Sequence, residues 1–259
     1  MDPQPKVKHM SDHVLRQLAL HRERGATSPL FVAVQGPQGS GKTYLTTRLQ
    51  ETLTSKPHSL SLVVLSIDDL YLPHDQLVAV ARAYPDNKLL QGRGQPGTHD
   101  VKLGAEILTQ LKRINEFTPR NSLTHIPRFD KSLFEGEGDR VEGTSVTGPI
   151  DVVILEGWCV GFYPTNKEEI DRRFELPVES LSDDFFRSRG FRREDVYDIN
   201  ERLKDLSTWW SYFDVFIQAS TYIYASAGPY IDDLVPRLNP LQVIRTITSI
   251  SGDCSKSII

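Results

Sequence analysis

Residues 36–43 read Gly-Pro-Gln-Gly-Ser-Gly-Lys-Thr, the spacing G-x-x-x-x-G-K-[ST] of a phosphate-cradling loop. Its glycines let consecutive backbone N–H groups turn inward around a polyphosphate. A helix starting near Lys42 would point the positive end of its dipole at the same charge. Gly36, Pro37, Gln38, Gly39, Ser40, Gly41, Lys42 and Thr43 are therefore the candidate nucleotide-binding residues, with Lys42 reaching the outer phosphates and the Thr43 hydroxyl ligating Mg²⁺. The motif works only between a strand and a helix. The apolar run Leu30, Phe31, Val32, Ala33, Val34 leads straight into it, which a glycine-rich turn of no consequence would not require.

Carboxylates stand at two further places where an apolar run of strand length ends: Asp68 and Asp69 after residues 60–67, and Glu156 after residues 150–155. In open parallel α/β sheets ligands bind outside the carboxyl ends of the strands, so these positions belong together. Phosphoryl transfer to a hydroxyl needs a phosphate cradle, Mg²⁺, a carboxylate at the attacking hydroxyl and cations that offset the moving charge. Asp68 is the candidate carboxylate, with Tyr71 closing one wall of a pocket. One of the two aspartates is expected to cap the following turn. Glu156 is expected beside the Mg²⁺, since an acid ending a buried strand without a charge partner is costly.

Two segments mix glycine with polar groups. Residues 90–100 combine three glycines with Arg93, His99 and Asp100, a set suited to a small polyhydroxy substrate, and residues 126–140 supply Arg128, Asp130, Lys131 and Arg140. On charge pattern alone either could equally be a solvated loop.

The elements that must position these residues follow from periodicity. Ser11 is the expected cap of a first helix carrying Val14, Leu15, Leu18 and Ala19. Leu45, Leu49 and Leu53 predict a helix from the phosphate loop to about Thr54. Residues 101–114 predict another, and residues 196–213 a long one whose stripe includes Trp210, with Trp209 and Trp210 read as packing. Residues 60–67, 150–155 and 214–218 are predicted strands, while 117–148 and 161–192 read as irregular excursions. Strand, loop, helix, strand makes the sheet parallel. The expectation is a three-layer α/β sandwich with a mostly parallel central sheet, the P-loop NTPase arrangement.

With 259 residues, 39% of them apolar and 25% charged, the chain can bury a sizeable core. Its expected divisions are a helical extension over 1–27, the main domain over 28–220 and an atypical tail over 221–259. A formal net charge of −4 gives no general attraction for nucleic acid or anionic lipid. No run approaches the ~20 apolar residues that span a bilayer, and the first ten residues lack the apolar core of a secretory signal. The two cysteines, Cys159 and Cys254, have no metal-ligand spacing. A cytoplasmic protein without nucleic-acid or membrane partners is expected, with Cys159 a small buried residue.

Ser66-Ile-Asp-Asp-Leu-Tyr71, the stretch 89–100, Pro127-Arg-Phe-Asp-Lys131 with Gly138-Asp-Arg140, and Leu155-Glu-Gly-Trp158 with Gly161 and Phe162 together resemble the plant and fungal D-glycerate 3-kinase group, related to uridine kinase, phosphoribulokinase and pantothenate kinase. The resemblance covers about residues 28–218. It implies an ATP- and Mg²⁺-dependent kinase acting on a hydroxyl of a small metabolite, D-glycerate or a similar hydroxy acid. It would make Asp68 the base and Lys42 and Arg140 catalytic cations. Tyr71, Arg93, His99, Asp100, Arg128 and Lys131 would line the acceptor, and Thr43 and Glu156 would hold the metal. Residues 221–259 depart from the group's pattern and lack its Tyr-x-Trp-Arg-Leu lid segment. The competing reading is a nucleotide-binding regulatory protein. A guanine-specific switch would normally carry Asn-Lys-x-Asp, and Asn87-Lys-Leu-Leu and Asn166-Lys-Glu-Glu both lack the final aspartate.

Overall fold

A computed structural model describes residues 4–116, 123–175, 185–220 and 243–247. Strands β1 (Leu30–Gln35), β2 (Leu62–Ser66), β5 (Val152–Gly157), β6 (Val215–Ser220) and β7 (Val243–Ile247) form one sheet in the order β2-β5-β1-β6-β7. Every pairing in it is parallel. β1 and β5 are buried along their whole length, as a central parallel strand covered on both faces must be.

Alternate residues of β1, β2, β5 and β6 feed two cores. Phe31, Ala33, Val153 and Leu155 pack with helix α4 (Val101–Lys112), helix α7 (Arg193–Leu206) and the 3-10 turn Ser207–Tyr212. Val32, Val34, Val152 and Ile154 pack on the other face against α1 (Gln4–Glu23) and α2 (Lys42–Thr54). The result is the expected three-layer α/β sandwich.

Several boundaries differ from the sequence reading. α1 starts at Gln4, about two turns before Ser11, whose hydroxyl donates to the Val7 carbonyl inside the helix and caps nothing. These first turns were hidden because Val7 and Met10 are their only large apolar residues, although both are buried. Residues 117–148 are not wholly irregular: β3 (Leu123–Asp130) and β4 (Asp139–Thr147) pair antiparallel as a two-stranded ribbon outside the main sheet. β4 is exposed or half-buried throughout, so no apolar alternation marks it. The stretch 161–192 likewise contains α5 (Lys167–Phe174) and α6 (Phe185–Ser188). α5 buries Ile170, too little for a visible stripe. α3 (His74–Ala83) was not anticipated. Residues 221–242 and 248–259 of the atypical tail, Cys254 among them, lie outside the described residues.

The tryptophans pack as expected. Trp209 is fully buried and donates its indole N–H to the Val101 carbonyl at 3.0 Å. Its ring lies so close to α4 that a Cβ at Gly104 would sit 2.1 Å from it. Alanine favours a helix over glycine by about 1 kcal/mol, but overpacking here outweighs that gain. Gly104→Ala is expected to destabilise the protein by about 1–3 kcal/mol, read as a lowered midpoint in thermal unfolding followed by circular dichroism.

Candidate active site

The phosphate loop leaves β1 at Gly36. A side chain there would meet the Ala219 carbonyl of β6 at 2.5 Å, so only glycine lets the chain turn beside its neighbouring strand. Gly41 has φ +78° and is the residue before α2, a left-handed conformation that glycine adopts without strain. Between them the Ser40 N–H donates to the Pro37 carbonyl at 3.1 Å, and the same carbonyl accepts from Lys42 Nζ at 3.0 Å. Ser40 Oγ is buried and finds no partner among the described residues. Burial holds the Lys42 ammonium below its ordinary pKa, with Glu156 and Asp68 opposing the shift.

Glu156 is the last residue but one of β5, between β2 and β1 in the sheet, in register with Val34 of β1 and Ser66 of β2. It is buried and accepts a hydrogen bond from Thr43 Oγ1 at 3.2 Å. Burial raises its pKa, partly offset by Lys42. The orphaned Ser40 hydroxyl, the left-handed Gly41 and a buried carboxylate on the Thr43 hydroxyl fit a triphosphate with a divalent cation. These residues could hold both.

Beyond β2 the chain enters a short 3-10 turn, Ile67–Leu70. Its cap is Ser66, whose hydroxyl accepts from the Asp68 N–H, so neither aspartate caps it. The two aspartates instead divide their work. Asp69 accepts from the Phe129 N–H at 3.0 Å and ties the turn to β3, and burial raises its pKa. Asp68 stays partly exposed. One of its oxygens accepts from the Tyr71 hydroxyl at 3.0 Å and the other from Lys131 Nζ at 2.6 Å.

Tyr71 is buried between His99 (ring centroids 4.5 Å apart) and Phe129 (5.3 Å). Burial pushes its phenol well above the usual value, keeping it a donor to Asp68. His99 is itself buried, and burial pushes its imidazole down to about 4, against the pull of the Asp68 charge. It is therefore neutral at physiological pH and sits against the Tyr71 ring. Cys159 is buried with its thiol pushed up to about 12 by that burial, consistent with a packing residue.

Asp68, Tyr71, Arg93 and Lys131 line one cleft of about 680 Å³, with Gln38 of the phosphate loop at one side. Arg93 donates to the Gly136 carbonyl at 2.6 Å and also to the Glu137 carbonyl. Asp100 and Arg140 are paired instead with each other at 3.0 Å. Asp100 caps α4 through the Leu103 N–H, and Arg140 also donates to the Tyr71 carbonyl at 2.7 Å. They brace the wall that carries Tyr71. Arg128 is exposed on β3 while its neighbour Phe129 is buried, so the strand turns it away from Tyr71.

Sequence reasoning missed the wall formed by α3, where His74, Leu77, Val78, Ala81 and Arg82 line the cleft. The signal was present: Pro73 before the helix, Asp75 in its first turn and Arg82 in its last are start and stop marks. His74 is positioned by two contacts to the ribbon, its N–H on Asp139 at 2.8 Å and its Nε2 on Glu137 at 2.7 Å.

No family model matches the chain. It is 43% identical over 144 residues to "Probable ATP-dependent kinase TDA10" of Saccharomyces cerevisiae, covering 55% of this chain and 49% of that protein. Over 176 residues it is 35% identical to the chloroplastic D-glycerate 3-kinase of Arabidopsis thaliana, covering 64% and 37%. The chain thus spans half or less of the length of these curated relatives. The solved structure of D-glycerate 3-kinase from Cryptococcus neoformans var. grubii superposes with a TM-score of 0.73 at 38% identity, over 82% of this chain and 72% of that one. The chain belongs to the D-glycerate 3-kinase family. As in that family's P-loop kinase fold, its sheet is central and parallel. No helix among the described residues is long and apolar enough to cross a membrane.

The raised pKa of Glu156 has a thermodynamic consequence. The folded chain holds that proton more tightly than the unfolded one, so the stability linked to it is full below the unfolded pKa and is lost as pH rises through the folded one. Glu156→Gln, a neutral side chain of the same shape, should unfold at a higher temperature than the parent at neutral pH. The two unfolding midpoints should converge as the buffer is acidified through the carboxylate range.

Proposed function

We propose that this chain is an ATP-dependent kinase that transfers the γ-phosphoryl group to a hydroxyl of a small hydroxy acid, D-glycerate or one similar. The observation that carries this reading is the Asp68 carboxylate. It is held by Tyr71 and Lys131 in the cleft that the phosphate loop borders, while Lys42, Thr43 and Glu156 face the phosphate side. The names of the relatives support the same reaction class.

Asp68 orients the acceptor hydroxyl and takes its proton as the new O–P bond forms and the bond from the γ-phosphorus to the bridging oxygen of the leaving ADP breaks. The hydrogen bond from Tyr71 and the ion pair with Lys131 fix the carboxylate's orientation. That leaves each oxygen with lone pairs for the substrate. Lys42 has a poorly solvated ammonium that gains by meeting phosphate charge. Thr43 and Glu156 would hold Mg²⁺, which when bound offsets the charge on the phosphates. Arg140 acts in this scheme by holding the Tyr71 backbone, and His99 by supporting its ring.

Release of ADP in the presence of Mg²⁺ and ATP is expected to rise on addition of D-glycerate, measured in a coupled assay. Asp68→Asn should lower kcat by roughly 10²–10⁴ while the ATP KM stays within a few-fold. Lys42→Ala should impair both. Full activity of Asp68→Asn would remove the base from this scheme.

A further inference from the structure

The acceptor cleft is larger than a three-carbon acid needs. At about 680 Å³ it falls among the pockets of roughly 300–1,000 Å³ that enclose much bigger ligands. Its length follows α3: Val78, Ala81 and Arg82 fall on the same helix face as His74. At 1.5 Å of rise per residue, Arg82 lies about 12 Å further along the axis than His74.

Charge is distributed unevenly along that length. At the Asp68 end the charged side chains are engaged, Lys131 with Asp68 and Arg93 with the carbonyls of Gly136 and Glu137, and the His74 ring is hydrogen-bonded to Glu137. Arg82 lines the same cleft at the far end and, among the described residues, has no hydrogen-bonding or ionic partner. Between the two ends Val78 and Ala81 offer apolar surface. A guanidinium waiting beyond an apolar strip suits a carboxylate, which it can bind through two parallel hydrogen bonds.

We infer that the cleft takes an elongated hydroxy acid, with its hydroxyl at Asp68, its alkyl portion along Val78 and Ala81, and its carboxylate on Arg82. This rests on the kinase reading above and names the acceptor class within it. Arg82 sets specificity and takes no part in the bond changes at phosphorus.

The test uses the full chain with Mg²⁺ and ATP, D-glycerate, and a series of ω-hydroxy carboxylic acids from three to eight carbons. The expected result is a kcat/KM that rises with chain length, chiefly through KM. Arg82→Ala should raise KM for the longest acids by roughly tenfold more than for D-glycerate, the loss of about 1.4 kcal/mol of binding. Arg82→Lys should recover part of that loss, and Val78→Trp, which blocks the strip, should select against the long acids. If D-glycerate is the best acceptor and Arg82→Ala affects all acids alike, the elongated acceptor is overturned while the kinase reading stands. If no acid stimulates ADP release although ATP binds, both fall.

Discussion

Everything at the site depends on the parallel register of three strands. Ser66, Val34 and Glu156 lie level with one another across β2, β1 and β5, so the chain leaves the sheet at one height for the phosphate loop, the Asp68 turn and Glu156. Backbone ladders set this height, and one face of the sheet is filled by fully buried Phe31, Leu155 and Trp209. A one-residue slip in either ladder would reverse which face Glu156 presents. The acid that approaches Thr43 is therefore positioned by the hydrophobic core more than by its own hydrogen bond.

The backbone frame was the most legible part of the sequence because its signals are local. The phosphate loop carries its own glycine spacing, and buried strands show as unbroken apolar runs, so β1, β2, β5, β6 and the helix after the loop were found to within a few residues. The ribbon of β3 and β4 and the small helix α5 were not, because each buries few apolar side chains and leaves no periodic trace. Their order comes from tertiary bonds such as Asp69 on the Phe129 N–H, which no pattern along the chain reveals.

Side-chain roles were legible in proportion to how far they depend on topology. The placement of Asp68 and Glu156 on the phosphate-loop side of the sheet followed from their position at strand ends alone. Within 90–100 and 126–140, charge was visible but its partners were not. Asp100 with Arg140 proved to be an internal ion pair bracing Tyr71. Lys131 reaches Asp68, and Arg128 faces outward. The α3 wall went unseen although Pro73, Asp75 and Arg82 mark its ends, because its place on the cleft is set by tertiary contacts such as His74 with Glu137 and Asp139.

The adjacent aspartates separate two requirements that a single residue could not meet. Asp69, half-buried, accepts from the β3 backbone, and Asp68, one position earlier, turns instead to Tyr71 and Lys131 in the cleft. The ribbon is tied to the rest of the molecule by polar contacts from Asp69, Asp68, Asp100, Arg93 and α3 and lies outside the main sheet. A change of length or sequence in the ribbon would therefore reshape one wall of the cleft while leaving the parallel strands that position the phosphate loop untouched.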